Sequence, residues 1–345
     1  MSVQSKVDEQ SLFQPLKHRR ESATVFMYSG QGSQYYHMAR ELYEKDSQFK
    51  SDLHMLDLIF SRLIGTSVLD AIYDKRFTKD IPFTRMLYTH SAIYMIEYCL
   101  TKLLNRQNIY ADYYLGASLG EFSAMSLAAN TAPQDVIQML VSQSQLCESQ
   151  LSKGGMLAVF GPADIRDLLL SYSPSLELAA DNFNNHFVVC GDGIALQAAK
   201  EFLNKYKILN QEVAVSFAYH SSQFDSLKHK FKNCLFDREV HFHTPCISCS
   251  KRKILRSGYP GLTWEVIRKP INFAETFSNF AKRGEFQFID LGPSGTLSIF
   301  AKNIIASQNL HSNHHSILTP YGSDVDNLSK LYEHYEFRMS SGDNK

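Results

Sequence analysis

A chain of 345 residues with 44% hydrophobic content can bury a sizeable core, as one large domain or as a large and a small one. Its 35 basic and 35 acidic side chains cancel with no block of one sign, which argues against a surface for nucleic acid or anionic lipid. No run reaches the roughly 18 apolar residues of a membrane span. The first residues are polar without an apolar leader, so a soluble, cytoplasmic protein is expected.

Residues 1–20 read as a polar arm, mobile or laid on the surface, ending in Lys17-His18-Arg19-Arg20. Thr24 to Ser29 is a short β-rich run entering Gly30-Gln31-Gly32-Ser33-Gln34, with a helix expected to begin near Ser33. That turn has neither a third glycine in G-x-G-x-x-G register nor a Gly-Lys-Ser/Thr, so nucleotide binding is poorly supported. What it offers is backbone that can approach a substrate closely. Helical patterns fill Tyr35 to Ile72, and Leu87 to Leu104 reads as a buried helix. An extended approach over Tyr110 to Leu115 leads into Gly116-Ala117-Ser118-Leu119-Gly120, followed by a helical run from Leu119 to Ala129. Pro133 then opens a helix over Gln134 to Gln150.

Residues 155–216 change character. Strand-like runs at Met156 to Phe160, Leu176 to Ala180, His186 to Cys190 and Ile208 to Val215 are interleaved with helical runs at Ala163 to Ser171 and Ile194 to Tyr206. That βαββαβ order is the ferredoxin-like pattern. The chain after it reads as helix from Gln223 to Leu235, strand near Ile247, helix around Trp264 and helix from Phe273 to Lys282. A strand over Phe288 to Leu291 and a helix to Ala306 follow. The expected fold class is α/β: a large α/β-hydrolase-like domain with a mostly parallel sheet (21–154 and 217–338), carrying an inserted small ferredoxin-like domain (155–216). Residues 339–345 are expected to be a disordered tail.

Six scattered cysteines make no disulfide framework. His241, His243, Cys246 and Cys249 lie close enough to suggest zinc, but Val240 to Ser250 reads as extended, where residues three apart face opposite sides. A buried strand with small thiols is the expectation, and no metal site is assigned.

The chemistry centres on Ser118. G-x-S-x-G between strand and helix describes an elbow that holds a serine hydroxyl clear of the backbone, with the Leu119 N–H at a helix start where an oxyanion would form. Such a hydroxyl needs a base. Among 13 histidines, His220 stands out directly after the last strand of the small domain, where a cleft would form. Position alone leaves a structural histidine at least as good a reading.

Four segments together resemble the malonyl-CoA:acyl-carrier-protein transacylase family: Gly30-Gln31-Gly32-Ser33-Gln34, Gly116 to Phe122, Phe217-Ala218-Tyr219-His220, and Leu291-Gly292-Pro293-Ser294-Gly295. The resemblance implies a Ser118–His220 dyad acting on a thioester, with the backbone N–H groups of Gln31 and Leu119 as oxyanion hole. It implies a main-chain carbonyl orienting the histidine, by position that of Val266, with Asp225 and Asp290 as other candidates. The expected pocket is Gln143, His90, Ala117, Phe217 and Tyr219. No cofactor is implied; the acyl group would ride on the phosphopantetheine of an acyl carrier protein, the expected partner.

Three positions depart from the family pattern. Malonyl-specific members have an arginine twenty-five residues beyond the serine, where this chain has Gln143 in inward helical register, with no arginine or lysine from Gln134 to Gln150. An amide supplies neither the charge nor the planar fork that receives a carboxylate. Ala117 replaces a usual histidine, and His90 a common glutamine. The exchange at 143 resembles the stand-alone acyl hydrolases of trans-acyltransferase polyketide synthases, described as clearing stalled acyl chains from carriers. The expected function is therefore hydrolysis of non-carboxylated, acetyl-type acyl thioesters on carrier proteins. The alternatives are an acyltransferase that loads carriers and a non-catalytic carrier-binding relative.

Overall fold

Five consecutive buried residues, Thr24 to Tyr28, mark a strand covered on both faces, and in the computed structural model they form β1 (Ala23–Tyr28). The structure describes residues 22–231 and 234–342, so the arm expected over 1–20 lies outside the described residues. β2 (Tyr113–Gly116) lies beside β1, and the chain then leaves to build a second sheet from β3 (Gly155–Phe160), β4 (Glu177–Phe183), β5 (His186–Gly191) and β6 (Leu209–Glu212). It returns through β7 (His241–Ser248) and β8 (Lys253–Ser257), adds β9 (Ile271–Asn272) to the second sheet, and closes the first with β10 (Phe286–Asp290) and β11 (Asn313–Ser316).

The larger sheet has the order β11-β10-β1-β2-β7-β8, parallel throughout except for the β7–β8 pair. The smaller has the order β6-β3-β5-β4-β9, antiparallel among β3 to β6. β6-β3-β5-β4, with helices Ala163–Tyr172 and Gly193–Lys205 between its strands, is the arrangement the βαββαβ pattern describes. β9, from beyond residue 217, pairs in parallel with β4 and joins the second sheet to the returning chain.

Helices cover both faces of the larger sheet. Helix Met86–Arg106, with sixteen buried residues, packs on one side with Ser47–Ile64 and Pro133–Gln150. Phe273, Phe277 and Phe280, one face of helix Phe273–Ala281, pack with Phe286 and Phe288 of β10 on the other. The helix expected near Ser33 does not form: the first helix after β1 is Arg40–Lys45. Left-handed backbone at His37 and Ala39 and the positive φ of Gly32 break any earlier turn. Gln34 instead pins the loop, donating from Nε2 to the carbonyls of Phe83 and Ala214. Between Gln223 and Leu235 a 3-10 segment, Ser222–Phe231, replaces the expected α-helix. The last helix, Asp324–Gly342, continues past position 338, where a disordered tail was expected.

Candidate active site

The C-terminal ends of β1, β2 and β10 lie side by side, the place where parallel α/β sheets offer loops to a ligand. Ser118 sits at the end of β2 with φ 56° and ψ −123°, a conformation costing a non-glycine residue about 1–3 kcal/mol. Its neighbours make the crossing possible. A Cβ on Gly120 would run into the Tyr28 carbonyl, and one on Gly116 into the Glu121 backbone. A Cβ on Gly30 would come within 2.8 Å of the Ser118 Cβ, so β1 and the elbow touch where only glycine fits.

His220 reaches the serine across 102 positions of sequence: Ser118 Oγ lies 2.8 Å from Nε2. On the other side of the ring, Nδ1 lies 2.8 Å from the Lys269 carbonyl oxygen. A carbonyl only accepts, so Nδ1 carries the proton and Nε2 presents a lone pair to the Ser118 hydroxyl. Burial keeps the ring neutral, moving its pKa down to about 4, against an upward pull from the Lys269 contact.

The orienting carbonyl thus corrects the expectation of Val266. Val266 lies within helix Leu262–Arg268, where carbonyls run along the axis, and its side chain faces the cavity instead. Lys269 is one residue past the helix, held extended (φ −77°, ψ 149°) ahead of Pro270, which turns its carbonyl out of the ladder. Neither candidate carboxylate does this work. Asp225 is engaged by the Arg268 guanidinium at 2.8 Å. Asp290 is wholly buried, accepting from the N–H groups of Gly292 and Ser298.

A cavity of about 510 Å³ opens over the serine, lined among others by Gln31, His90, Ala117, Leu119, Gln143 and Tyr219. Phe217 is not among its walls: the ring is buried in a neighbouring cluster, with the Lys153 ammonium 5.1 Å from its centroid. Leu119 opens the elbow helix, so its N–H has no acceptor one turn back and remains available at the serine. The Gln31 side chain is fixed by donating to Thr89 Oγ1 at 2.9 Å and by His90 Nε2 3.1 Å from its Oε1.

Among the described residues that line this cavity there is no arginine or lysine. Arg268, next to Lys269, is held between Asp225 and Glu177. A second cavity shares Gln143 and Phe231 with the first and carries Lys230 and Arg238, which places those two cations behind Gln143. On the strand that suggested zinc, Cys246 and Cys249 are buried while His241 and His243 are exposed.

Two buried carboxylates escaped the sequence reading. Glu97, fully buried, accepts the Ser29 N–H at 2.7 Å and so holds the strand end that feeds Gly30 and Gln31. Glu121, on the elbow helix, accepts the Ser250 N–H at 2.7 Å and the hydroxyls of Ser248 and Ser250, tying that helix to the end of β7. Burial raises both, Glu121 to about 7. Each interrupts an otherwise apolar helical run, the signal that marks them in the sequence.

Comparison with known proteins supplies the lineage. The chain is 35% identical over 312 residues to the polyketide biosynthesis acyltransferase homolog PksD of Bacillus subtilis, covering 89% of this chain and 95% of that one. It is 33% identical over 311 residues to BaeD of Bacillus velezensis, another polyketide biosynthesis acyltransferase homolog, with the same coverages of 89% and 95%. Its fold resembles the malonyl CoA-acyl carrier protein transacylase of Clostridium perfringens, with TM-score 0.75 and 21% identity over 94% of this chain and all of that one. A loading acyltransferase from the avermectin modular polyketide synthase superposes with TM-score 0.78 at 19% identity, covering 90% and 99% of the two chains. The acyl transferase domain model matches residues 25–326, and the chain belongs to that family.

Proposed function

We propose that this protein hydrolyses neutral acyl thioesters carried on acyl carrier proteins, through an acyl-serine intermediate. The observation that carries the reading is a Ser118–His220 pair 2.8 Å apart beneath a cavity whose described walls hold no cation. Ser118 Oγ attacks the thioester carbonyl carbon as its proton passes to His220 Nε2. The N–H groups of Gln31 and Leu119 hold the oxyanion. Collapse breaks the C–S bond, and the carrier's thiol leaves with the proton from His220. Water then attacks the acyl ester, giving its proton to the same nitrogen, which returns it to Ser118 as the acid departs.

Gln143 sets what may enter. Without the bidentate cationic contact, a carboxylated acyl group buries its charge against an amide, a deficit of about 1.5–3 kcal/mol. That corresponds to roughly ten- to two-hundredfold. The similarity to PksD and BaeD, both named polyketide biosynthesis acyltransferase homologs, supports a carrier protein as the donor. Transfer to a second carrier is the alternative reading. Incubating the protein with acetyl-loaded carrier and a second, empty carrier separates them by mass spectrometry. Hydrolysis leaves the second carrier bare and yields free acetate, whereas a loaded second carrier would overturn the hydrolytic step.

A further inference from the structure

Two polar side chains in the cavity walls have a buried atom with no protein partner, Gln143 at Nε2 and His90 at Nδ1. Both residues are more than nine-tenths buried, at 5% and 6% exposure. The Tyr219 hydroxyl, in the same walls, is engaged with the Gln31 side chain. Most buried polar groups in native proteins are hydrogen-bonded, and two left open in the walls of one cavity mark a place where a ligand completes the bonding. Their chemistry is complementary. His90 Nε2 donates to Gln31 Oε1, so its Nδ1 is left as an acceptor. The Gln143 amide brings a donor, and the Tyr219 ring lies 6.1 Å from that of His90.

From this juxtaposition we infer that the cavity contains a subsite for a hydroxyl group on the acyl chain, so that hydroxylated acyl thioesters are preferred over plain alkanoyl ones of the same length. A hydroxyl donates to His90 Nδ1 and accepts from Gln143, which an alkyl chain cannot do. A ketone leaves the His90 lone pair unmet, and a carboxylate sets negative charge against it. The volume of about 510 Å³ leaves room for a chain much longer than acetyl beside the reacting carbonyl. The inference rests on the proposed Ser118 chemistry but not on the choice of water as acceptor.

The test uses pantetheine thioesters of hexanoate and its 3-hydroxy, 5-hydroxy and 3-oxo forms, with thiol release and free acid measured separately. Thiol release from at least one hydroxy form should exceed that from hexanoyl by about tenfold or more. In Gln143→Leu and in His90→Phe the hydroxy-to-hexanoyl ratio should fall towards one. The ratio is read within each variant, so a general loss of activity does not disguise the outcome. Equal rates for all forms, a preference for the 3-oxo form alone, or a ratio unchanged in both variants would overturn the subsite. If the ratio holds while acid release lags thiol release and a second carrier becomes loaded, the subsite stands and only hydrolysis fails.

Discussion

The carbonyl oxygen of Lys269 lies 2.8 Å from Nδ1 of His220, and that contact decides which ring nitrogen faces the serine. Pro270 maintains it by keeping Lys269 extended past the end of its helix. Replacing the proline allows that residue a helical conformation and lets the carbonyl turn away. For Pro270→Ala we expect kcat/KM to fall about five- to tenfold, the worth of one hydrogen bond of about 1 kcal/mol, with circular dichroism unchanged. Full activity in a folded variant would show that the carbonyl is not needed.

The acid limb of the pH–rate profile should be displaced. His220 must be neutral to accept the Ser118 proton, and burial moves its pKa from 6.5 down to about 4. Activity on a pantetheine thioester should therefore hold through pH 6 and fail only towards pH 4. A half-maximal rate near 6.5 would mean that the imidazole is solvated in the working enzyme.

Stability should respond to pH with two opposing slopes. Glu121 titrates near 4.5 when unfolded and about 7 when folded, so the native state binds the extra proton between those values and stability falls as pH rises through them. His220 and His90 act in reverse: from 6.5 unfolded they drop to about 4 and about 3, so stability rises with pH up to about 6.5. From pH 4.5 to 6.5 the two effects oppose each other, so Glu121 is isolated by comparing melting temperatures of parent and variant from pH 4 to 9. The melting temperature of Glu121→Gln, which keeps an acceptor for the Ser250 N–H and removes the titration, should rise relative to that of the parent as pH goes from 5 to 7. A constant difference across that range would exclude Glu121 as a contributor.

Restoring the cation should reverse selectivity. Gln143→Arg places a guanidinium on the inward face of helix Pro133–Gln150, and the malonyl-to-acetyl rate ratio should rise at least about tenfold. The same substitution buries an unpaired charge, so the melting temperature should drop. An unchanged ratio in soluble protein would remove residue 143 from the basis of selectivity.

Much of the fold was legible because its signals are local. The glycines around Ser118 and the βαββαβ succession of residues 155–216 both announce themselves in consecutive residues. β11, Asn-His-His-Ser, has no apolar residue and exists because β10 offers it an edge, which no local pattern records. Val266 was expected because counting back from a proline does not say where a helix ends, and the carbonyl facing His220 belongs to Lys269, one residue past that end. Phe217 shares its segment with Tyr219 and His220, yet its ring is buried outside the cavity walls. Glu97 and Glu121 each stand in an otherwise apolar run, but which N–H groups they hold, those of Ser29 and Ser250, only the tertiary structure reveals.

The most direct test of the acyl-serine chemistry and its selectivity is intact-mass spectrometry of the parent and Ser118→Ala, quenched soon after mixing with acetyl- or malonyl-loaded carrier. The parent should gain an acetyl mass on the peptide bearing Ser118 and lose it as acetate forms, with malonyl adduct appearing at least about tenfold more slowly. Ser118→Ala should gain neither. An adduct on another residue, or malonyl and acetyl adducts forming equally fast, would contradict it.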